Sequence, residues 1–382
     1  MKLYTVGVLG ATGAVGQEMM RLLEERNFPV GKLVPLASKR SAGKTLKFRG
    51  EDVVIQEACD SAFEGIDIVL GAAENDIAEK FAPAIVKAGA VFVDNSSAFR
   101  LNPDVPLVVP EVNPEDAKLH KGIISNPNCS TIITVTAVNA LNKLSPIKSM
   151  VASTYQAVSG AGVAGMAELK NQLEALQKGE EVQVKTFAYQ IAYNLIPQIG
   201  GEQVDGYTSE EMKLHFEGRK IMHLPELNVS CTCVRVPVVR SHSISVQMRF
   251  DKHISVEQVR QTIANAPGCK LVDDLSKKMY PMPLDTSDQD IVFVGRIRVP
   301  WFIGGFLLLA IFNSVGLIPV AVSKLMKRAS KFLMVTALAA IGLNTSITDF
   351  RKAGLAPMFY GITIDTLVTL TALAVIWGMG LM

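Results

Sequence analysis

The sequence predicts an α/β chain with an open parallel sheet first, an α+β domain second and a strongly apolar helical tail last. Three observations carry this reading. Up to about residue 128, short β-branched and apolar runs alternate with helical stretches, the rhythm of strands joined by crossover helices. From about residue 148 the strands lengthen and the alternation breaks, as expected of a mixed α+β arrangement. At Val299 charge disappears for 25 positions, long enough for a helix to span about 30 Å of hydrocarbon. The expected units are therefore 1–128, 129–298 and 299–382.

In chain order, Leu3–Leu9 reads as a buried strand ending in the turn Gly10-Ala-Thr-Gly13-Ala-Val-Gly16, and a helix follows through Met19, Met20, Leu22 and Leu23. Strands are expected at 33–36, 67–70, 91–93 and 107–109, with a helix over 76–88. The segment Asn126-Pro127-Asn128-Cys129-Ser130 turns into a helix over 132–141. Strands at 148–156, 228–238 and 243–249 and helices at 163–178 and 255–266 make up the second domain. The tail holds three apolar runs, over 299–323, 332–348 and 353–382.

Composition excludes several classes. The 382 residues carry 38 basic and 36 acidic side chains, and that near-neutral balance argues against a dedicated nucleic-acid binder. The average hides a split, because residues 301–382 hold six basic and two acidic groups and leave 32 and 34 for the rest. Five scattered cysteines fit a reducing cytosol better than a disulfide framework. Cys231 and Cys233 stand too close in sequence for a usual zinc pair, so no metal is expected. The N-terminal residues lack the long apolar region of a signal peptide.

Three segments carry chemistry. Gly10, Gly13 and Gly16 stand between the first strand and first helix, where a dinucleotide needs a tight turn, close backbone approach and the donors of a helix start. After the second strand, Ala37-Ser38-Lys39-Arg40-Ser41 offers basic and hydroxyl groups where an NAD site usually places an acid, which favours the 2′-phosphate of NADP. Cys129 falls at a helix start, where backbone N–H groups lower a thiol pKa and hold a developing oxyanion.

Several separated motifs resemble the aspartate-β-semialdehyde dehydrogenase family across residues 1–298. They are Gly7–Gly16, Asp94-Asn-Ser-Ser-Ala-Phe-Arg100, Ser125–Thr131, Gln156-Ala-Val-Ser-Gly-Ala-Gly162, Glu210-Glu-Met-Lys213 and Cys233–His242. N-acetyl-γ-glutamyl-phosphate reductases share the chemistry, but their cysteine typically follows Pro-Gly rather than Pro-Asn. The resemblance implies a Rossmann-type NADP domain, a catalytic and dimerisation domain, and reduction of L-4-aspartyl phosphate to aspartate semialdehyde for lysine, threonine and methionine synthesis. It implies Cys129 as nucleophile, His242 as general acid/base and Gln156 as the group that orients substrate. Arg235 would clamp the substrate carboxylate, Glu210 would meet its amino group, and Arg100 and Lys213 would hold phosphate. Thr12, Gly13, Ala14, Val15, Arg40, Ser41, Ser159, Gly160, Ala161, Gly162 and Val163 would line the NADP site with Gly10. A homodimer is expected. Arg235 and His242 lie seven residues apart, on opposite faces of an ideal strand, so a bend near Pro237 is needed to unite them.

Beyond Arg298 the resemblance stops. Pro300-Trp-Phe-Ile, Ser314–Pro319, Ala337–Thr345 and Arg351-Lys-Ala-Gly354 resemble instead the end of an uncharacterised bacterial integral-membrane family, the YeiH-like proteins. A first span leaving the cytosol would carry Lys324, Lys327, Arg328 and Lys331 outside, against the positive-inside bias. The expectation is a cytosolic enzyme joined by accident to a membrane-type tail, with activity impaired by loss of the family's terminal strand and helix. Attachment of the tail to the inner membrane is the accompanying expectation. The rival class is a transporter fragment with a nucleotide-sensing domain, which would have no use for a nucleophile.

Overall fold

The computed structural model describes residues 2–299 and, beyond them, Phe312, Pro319, Val322, Lys324, 326–329 and 331–332. The chain divides into two compact units, 1–299 and 300–382. The first begins with β1 (Tyr4–Leu9), α1 (Ala14–Glu25) and β2 (Val30–Ala37). A hairpin of β3 (Thr45–Phe48) and β4 (Glu51–Val54) leads to β5 (Gln56–Glu57), β6 (Ile68–Gly71), α2 (Asn75–Lys87), β7 (Val91–Asp94) and β8 (Ile123–Ser125). These strands form one six-stranded sheet in the order β5-β2-β1-β6-β7-β8, parallel throughout. Parallel strands need crossover helices, which cover the sheet faces and explain the nearly continuous apolar runs of its strands. On one side Phe81 and Ile85 of α2 pack with Phe63, Val69 and Phe92. Met20 of α1 joins Val6, Val8 and Leu33 in a separate cluster.

The expected strand at 107–109 is a correction. Leu107 makes only an isolated bridge to Ser125, and the sixth strand is β8. Leu107 and Val109 are buried in the neighbouring core instead, so their hydrophobicity reports packing rather than strand pairing.

The second half starts with α3 (Cys129–Leu144) and β9 (Ile147–Gln156), followed by α4 (Gly162–Lys178) and α5 (Ser209–Met222). Then come β10 (Asn228–Arg235), β11 (Ser243–Phe250), α6 (Val256–Ala264), β12 (Cys269–Leu271) and β13 (Val292–Val294). The main sheet has the order β10-β9-β11, with β10 parallel and β11 antiparallel to β9. Val135 and Val138 of α3, Leu214 and Ile221 of α5, and Met150 and Ala152 of β9 close its inner face. Helix α5 is absent from the sequence reading. Its signal was the capping box, in which Thr208 and Glu211 bond each other's backbone N–H reciprocally.

Among the described residues no helix is long and apolar enough to cross a membrane. The three apolar runs expected of the tail lie almost wholly outside those residues.

Candidate active site

The turn after β1 is tightly closed on its own backbone. Gly10 takes φ +88°, and a Cβ there would meet Ala72 O at 2.6 Å. A Cβ on Gly16 would stand 2.4 Å from Gly10 O, so this turn is closed to any side chain. The Gly10 and Ala11 N–H groups donate to Leu36 O, fastening the turn to the end of β2. Helix α1 then starts without a side-chain cap or an acid in its first turn, and Thr12, Gly13, Ala14 and Val15 are exposed. Past β2, Ser38, Lys39 and Arg40 are exposed and Ser41 is half-buried. A pyrophosphate fits a positive helix start that no carboxylate occupies, and a 2′-phosphate fits the basic loop beside it.

The Cys129 turn joins the parallel sheet to α3. Asn128 caps the helix, its Oδ1 accepting from Ser130 N–H at 3.0 Å and Thr131 N–H at 3.2 Å. Cys129 is the first helical residue and is exposed. Its thiol nevertheless stands above the ordinary value, which corrects the expected lowering. Desolvation by the surrounding protein is the largest cause and the Glu210 charge adds to it, outweighing the Ser130 amide and hydroxyl and the Lys213 ammonium. The helix start therefore offers donors for a thiolate without making one in the free protein.

Glu210 is the hub beneath this turn. Its Oε1 accepts from Asn128 Nδ2 at 2.9 Å and from Gln156 Nε2 at 3.0 Å, and its Oε2 accepts from Lys213 Nζ at 2.9 Å. Burial works to raise its pKa, but Lys213 and the two amide donors prevail and keep it ionised. Gln156 is only 1% exposed and accepts from Thr154 Oγ1 at its other end, which fixes its amide orientation. Lys213 is thus already paired with Glu210, as is Arg100 with Glu217 at 3.1 Å. The sequence reading has both cations holding phosphate, and here each also meets a carboxylate.

Arg235 and His242 meet because one ends β10 and the other immediately precedes β11. Arg235 ends β10 opposite Gln156, and the chain then crosses the end of β9 to enter β11 at Ser243, opposite Tyr155. Along the crossing, Val236 N–H donates to Gln156 O, while Val158 and Ser159 donate to Val238 and Val239 carbonyls. The expected bend near Pro237 is therefore a whole crossover, completed by Ser241 at φ +71°. A Cβ on Gly160 would lie 2.7 Å from Arg235 Nη1 and 3.5 Å from His242 Nε2, so both side chains converge on that glycine. Arg235 Nη1 also donates to Ala157 O at 2.7 Å.

His242 Nδ1 accepts the Ala157 N–H at 3.0 Å, so the neutral ring carries its proton on Nε2 and presents a donor. Burial, then the Arg235 charge, lowers its pKa to about 4, with Glu210 opposing. Gly162, at φ +71°, opens α4 beyond this glycine loop, with Ala161 half-buried and Val163 exposed.

The structure thus gathers Cys129, Gln156, Glu210, Lys213, Arg235 and His242 around the end of β9, and brings Arg100 to the same turn through Glu217. Asn128 and Glu217 were not singled out in the sequence. Both are ordinary polar residues until the fold places them.

Comparison with known proteins agrees with this layout. The semialdehyde dehydrogenase NAD-binding domain matches residues 5–120, and the semialdehyde dehydrogenase dimerisation domain matches 138–306. A third family, described as conserved hypothetical protein 698, matches 284–361. The aspartate-semialdehyde dehydrogenase of Synechocystis sp. is 50% identical over 293 residues, covering 77% of this chain and 87% of that protein. The Bacillus subtilis enzyme is 47% identical over 301 residues, with 77% and 87% covered. Among solved structures, aspartate semialdehyde dehydrogenase II of Vibrio cholerae complexed with ASA has a TM-score of 0.76 at 41% identity, covering 78% of this chain and 89% of that one. The Candida albicans enzyme with NADP has a TM-score of 0.59 at 28% identity, covering 78% and 90%. With both semialdehyde dehydrogenase domains matched, and relatives 47% and 50% identical covered over 87% of their length, the chain belongs to the aspartate-semialdehyde dehydrogenase family.

Proposed function

We propose that the chain carries out the NADPH-dependent reductive dephosphorylation of L-4-aspartyl phosphate to L-aspartate 4-semialdehyde through a thioester on Cys129. The observation that carries this is the convergence of Cys129, Gln156, Arg235 and His242 at the end of β9. Sensing a nucleotide or conducting a solute requires no such set.

Arg235 holds the substrate carboxylate in a bidentate grip, and the Gln156 amide sets the acyl carbon against the sulfur. The Cys129 sulfur attacks that carbon as its proton passes to the phosphate group, a tetrahedral oxyanion forms, and the carbon–oxygen bond breaks to release phosphate carrying that proton. Helix-start N–H groups of α3 and the His242 Nε2–H stabilise the oxyanion. The Gly10–Gly16 turn would hold NADPH, with Arg40 and Ser41 toward its 2′-phosphate and Ser159–Val163 along the rest of it, and the bound cofactor would supply the hydride that reduces the thioester. Collapse of the reduced adduct returns the sulfur and releases the aldehyde. Lys213 and Arg100 lie at the turn as the cations for departing phosphate.

A homodimer formed through the open face of the β10-β9-β11 sheet belongs to this reading. Val151 and Tyr155 are exposed there between Ser230, Thr232, Ser245 and Gln247, a face of small and apolar groups suited to a flat partner. The tail from 299 onward is a passenger with a membrane-protein likeness rather than a working part of the enzyme.

Two measurements test the reading. Cys129→Ala is expected to lower kcat by at least about 10⁴-fold. Retained phosphate-dependent reduction of NADP by the semialdehyde would end the nucleophile assignment. Detergent-purified full-length protein is expected to turn over well below the Bacillus subtilis relative, and equal turnover would show that the tail does no harm.

A further inference from the structure

We infer that Glu217 is a positioning residue for the nucleophile, its buried carboxylate fixing the Pro127–Asn128 turn that carries Cys129 and holding Arg100 beside it. The inference rests on the reading of Cys129 as nucleophile, and its test is chosen to fail separately from that reading.

The turn has few backbone donors. Pro127 has no N–H, so Asn126 and Asn128 supply the two that precede Cys129. Asn126 N–H donates to Asp94 O at 2.7 Å, tying the turn to the end of β7. Asn128 N–H donates to Glu217 Oε2 at 2.7 Å, tying it to α5. The Asn128 side chain is held at both ends as well, by the α3 amides it caps and by Glu210. Glu210 and Glu217 lie seven residues apart on α5, two turns along one face, so a single helix grips Asn128 by side chain and by backbone.

Only a carboxylate satisfies Glu217's surroundings. Its Oε1 accepts from Arg100 Nη1 at 3.1 Å while Oε2 accepts the Asn128 amide, so it faces donors on both sides. Arg100 Nη2 goes to Asn95 O at 2.8 Å, which leaves Nε buried and unbonded. The Arg100 backbone is fixed from the same helix, because Lys220 Nζ donates to the carbonyls of Arg100, Asn102 and Val105. The Glu217 side chain is 3% exposed, too deep to meet substrate itself. It acts by setting where the helix-start donors stand relative to the sulfur. A glutamine there offers one acceptor and one donor, and the donor would face either Arg100 or the Asn128 N–H.

The test uses full-length Glu217→Gln and Glu217→Asp. In Glu217→Gln, kcat is expected to fall about 10- to 100-fold, the cost of roughly an ångström of misplacement, with the NADPH KM unchanged within about two-fold. Iodoacetamide alkylation of Cys129 at pH 8, followed by peptide mass spectrometry, is expected to change at least about three-fold per folded molecule as the helix-start donors move relative to the sulfur. A kcat within about two-fold of the parent, or unchanged Cys129 alkylation, overturns the inference. Glu217→Asp keeps the charge and provides the second arm if the glutamine variant does not fold. Its kcat and the hydrogen-exchange protection of the Asn128 amide are expected to be kept or lost together. Loss of one without the other overturns the inference. Alkylation and exchange do not depend on turnover, so a failed nucleophile assignment, seen in Cys129→Ala, is told apart from a failed assignment of Glu217.

Discussion

The dinucleotide turn and the cysteine site are built on opposite plans. The first is seven consecutive residues, Gly10–Gly16, whose close backbone approaches are to Gly10 O, Ala11 and the end of β6. The second draws on the β8–α3 turn, β9, α5, the end of β10 and the start of β11. A local site is broken only from within, because its geometry is set by its own φ and ψ angles. An assembled site is vulnerable through residues that never touch substrate, since each contributor is placed by its own element. The difference also appears electrostatically. The glycine turn presents an uncapped helix start with no acid in its first turn. The cysteine turn presents a capped one above a buried carboxylate, and its thiol is held protonated.

Three outcomes sharpen this contrast. The largest effect is expected inside the local site. Gly16→Ala drives a Cβ into Gly10 O at 2.4 Å and Ala11 Cα at 2.8 Å, backbone atoms that cannot step aside. NADPH affinity, read by fluorescence titration, should drop by about 100-fold or more, equivalent to about 3 kcal/mol, while Cys129 alkylation is spared. Equal damage to both sites would show that they are not independent.

Arg235→Lys is expected to act next in size. It exchanges a planar fork for a point charge and removes the Nη1 bond to Ala157 O. The substrate KM should rise about 30-fold, about 2 kcal/mol, with kcat less affected. An unchanged KM would remove Arg235 from the carboxylate site.

The smallest effect is the pH dependence that His242 gives to stability. Its folded pKa of about 4 lies below the unfolded 6.5, so between these values the unfolded chain binds more protons. The stability is therefore present above pH 6.5 and is lost as the pH falls toward 4. Urea unfolding at pH 7 and pH 5 should differ by about 1–2 kcal/mol more in the parent than in His242→Gln. Identical pH slopes would mean that His242 is not held neutral by burial and Arg235.

How far each site could be read beforehand follows the same division. Gly10, Gly13 and Gly16 sit between a strand and a helix, and their spacing alone points to a close-packed turn. Cys129 is legible at a helix start because the Asn126–Ser130 segment runs straight into the helical pattern of 132–141. Arg235 and His242 are legible only through family likeness, because strand parity places them on opposite faces. Helix α5 carries Glu210, Lys213 and Glu217, and the sequence reading passed over it. Its mixed polar and apolar residues serve two neighbours at once, so no single amphipathic stripe marks it.

By itself the sequence determined the local features of this protein: the first strand, glycine turn and helix, the basic loop after the second strand and the break in composition at Val299. Those depend on residues within a few positions of one another, where backbone sterics and hydrophobic period act directly. Tertiary structure alone decided that β10 and β11 flank β9, so that Arg235 and His242 meet over Gly160. It also turned Leu107 and Val109 into core rather than strand, and put Glu217 under the backbone of Asn128, 89 residues away. Such contacts form between elements whose relative placement is set by packing of the whole core, and no short stretch of sequence encodes that.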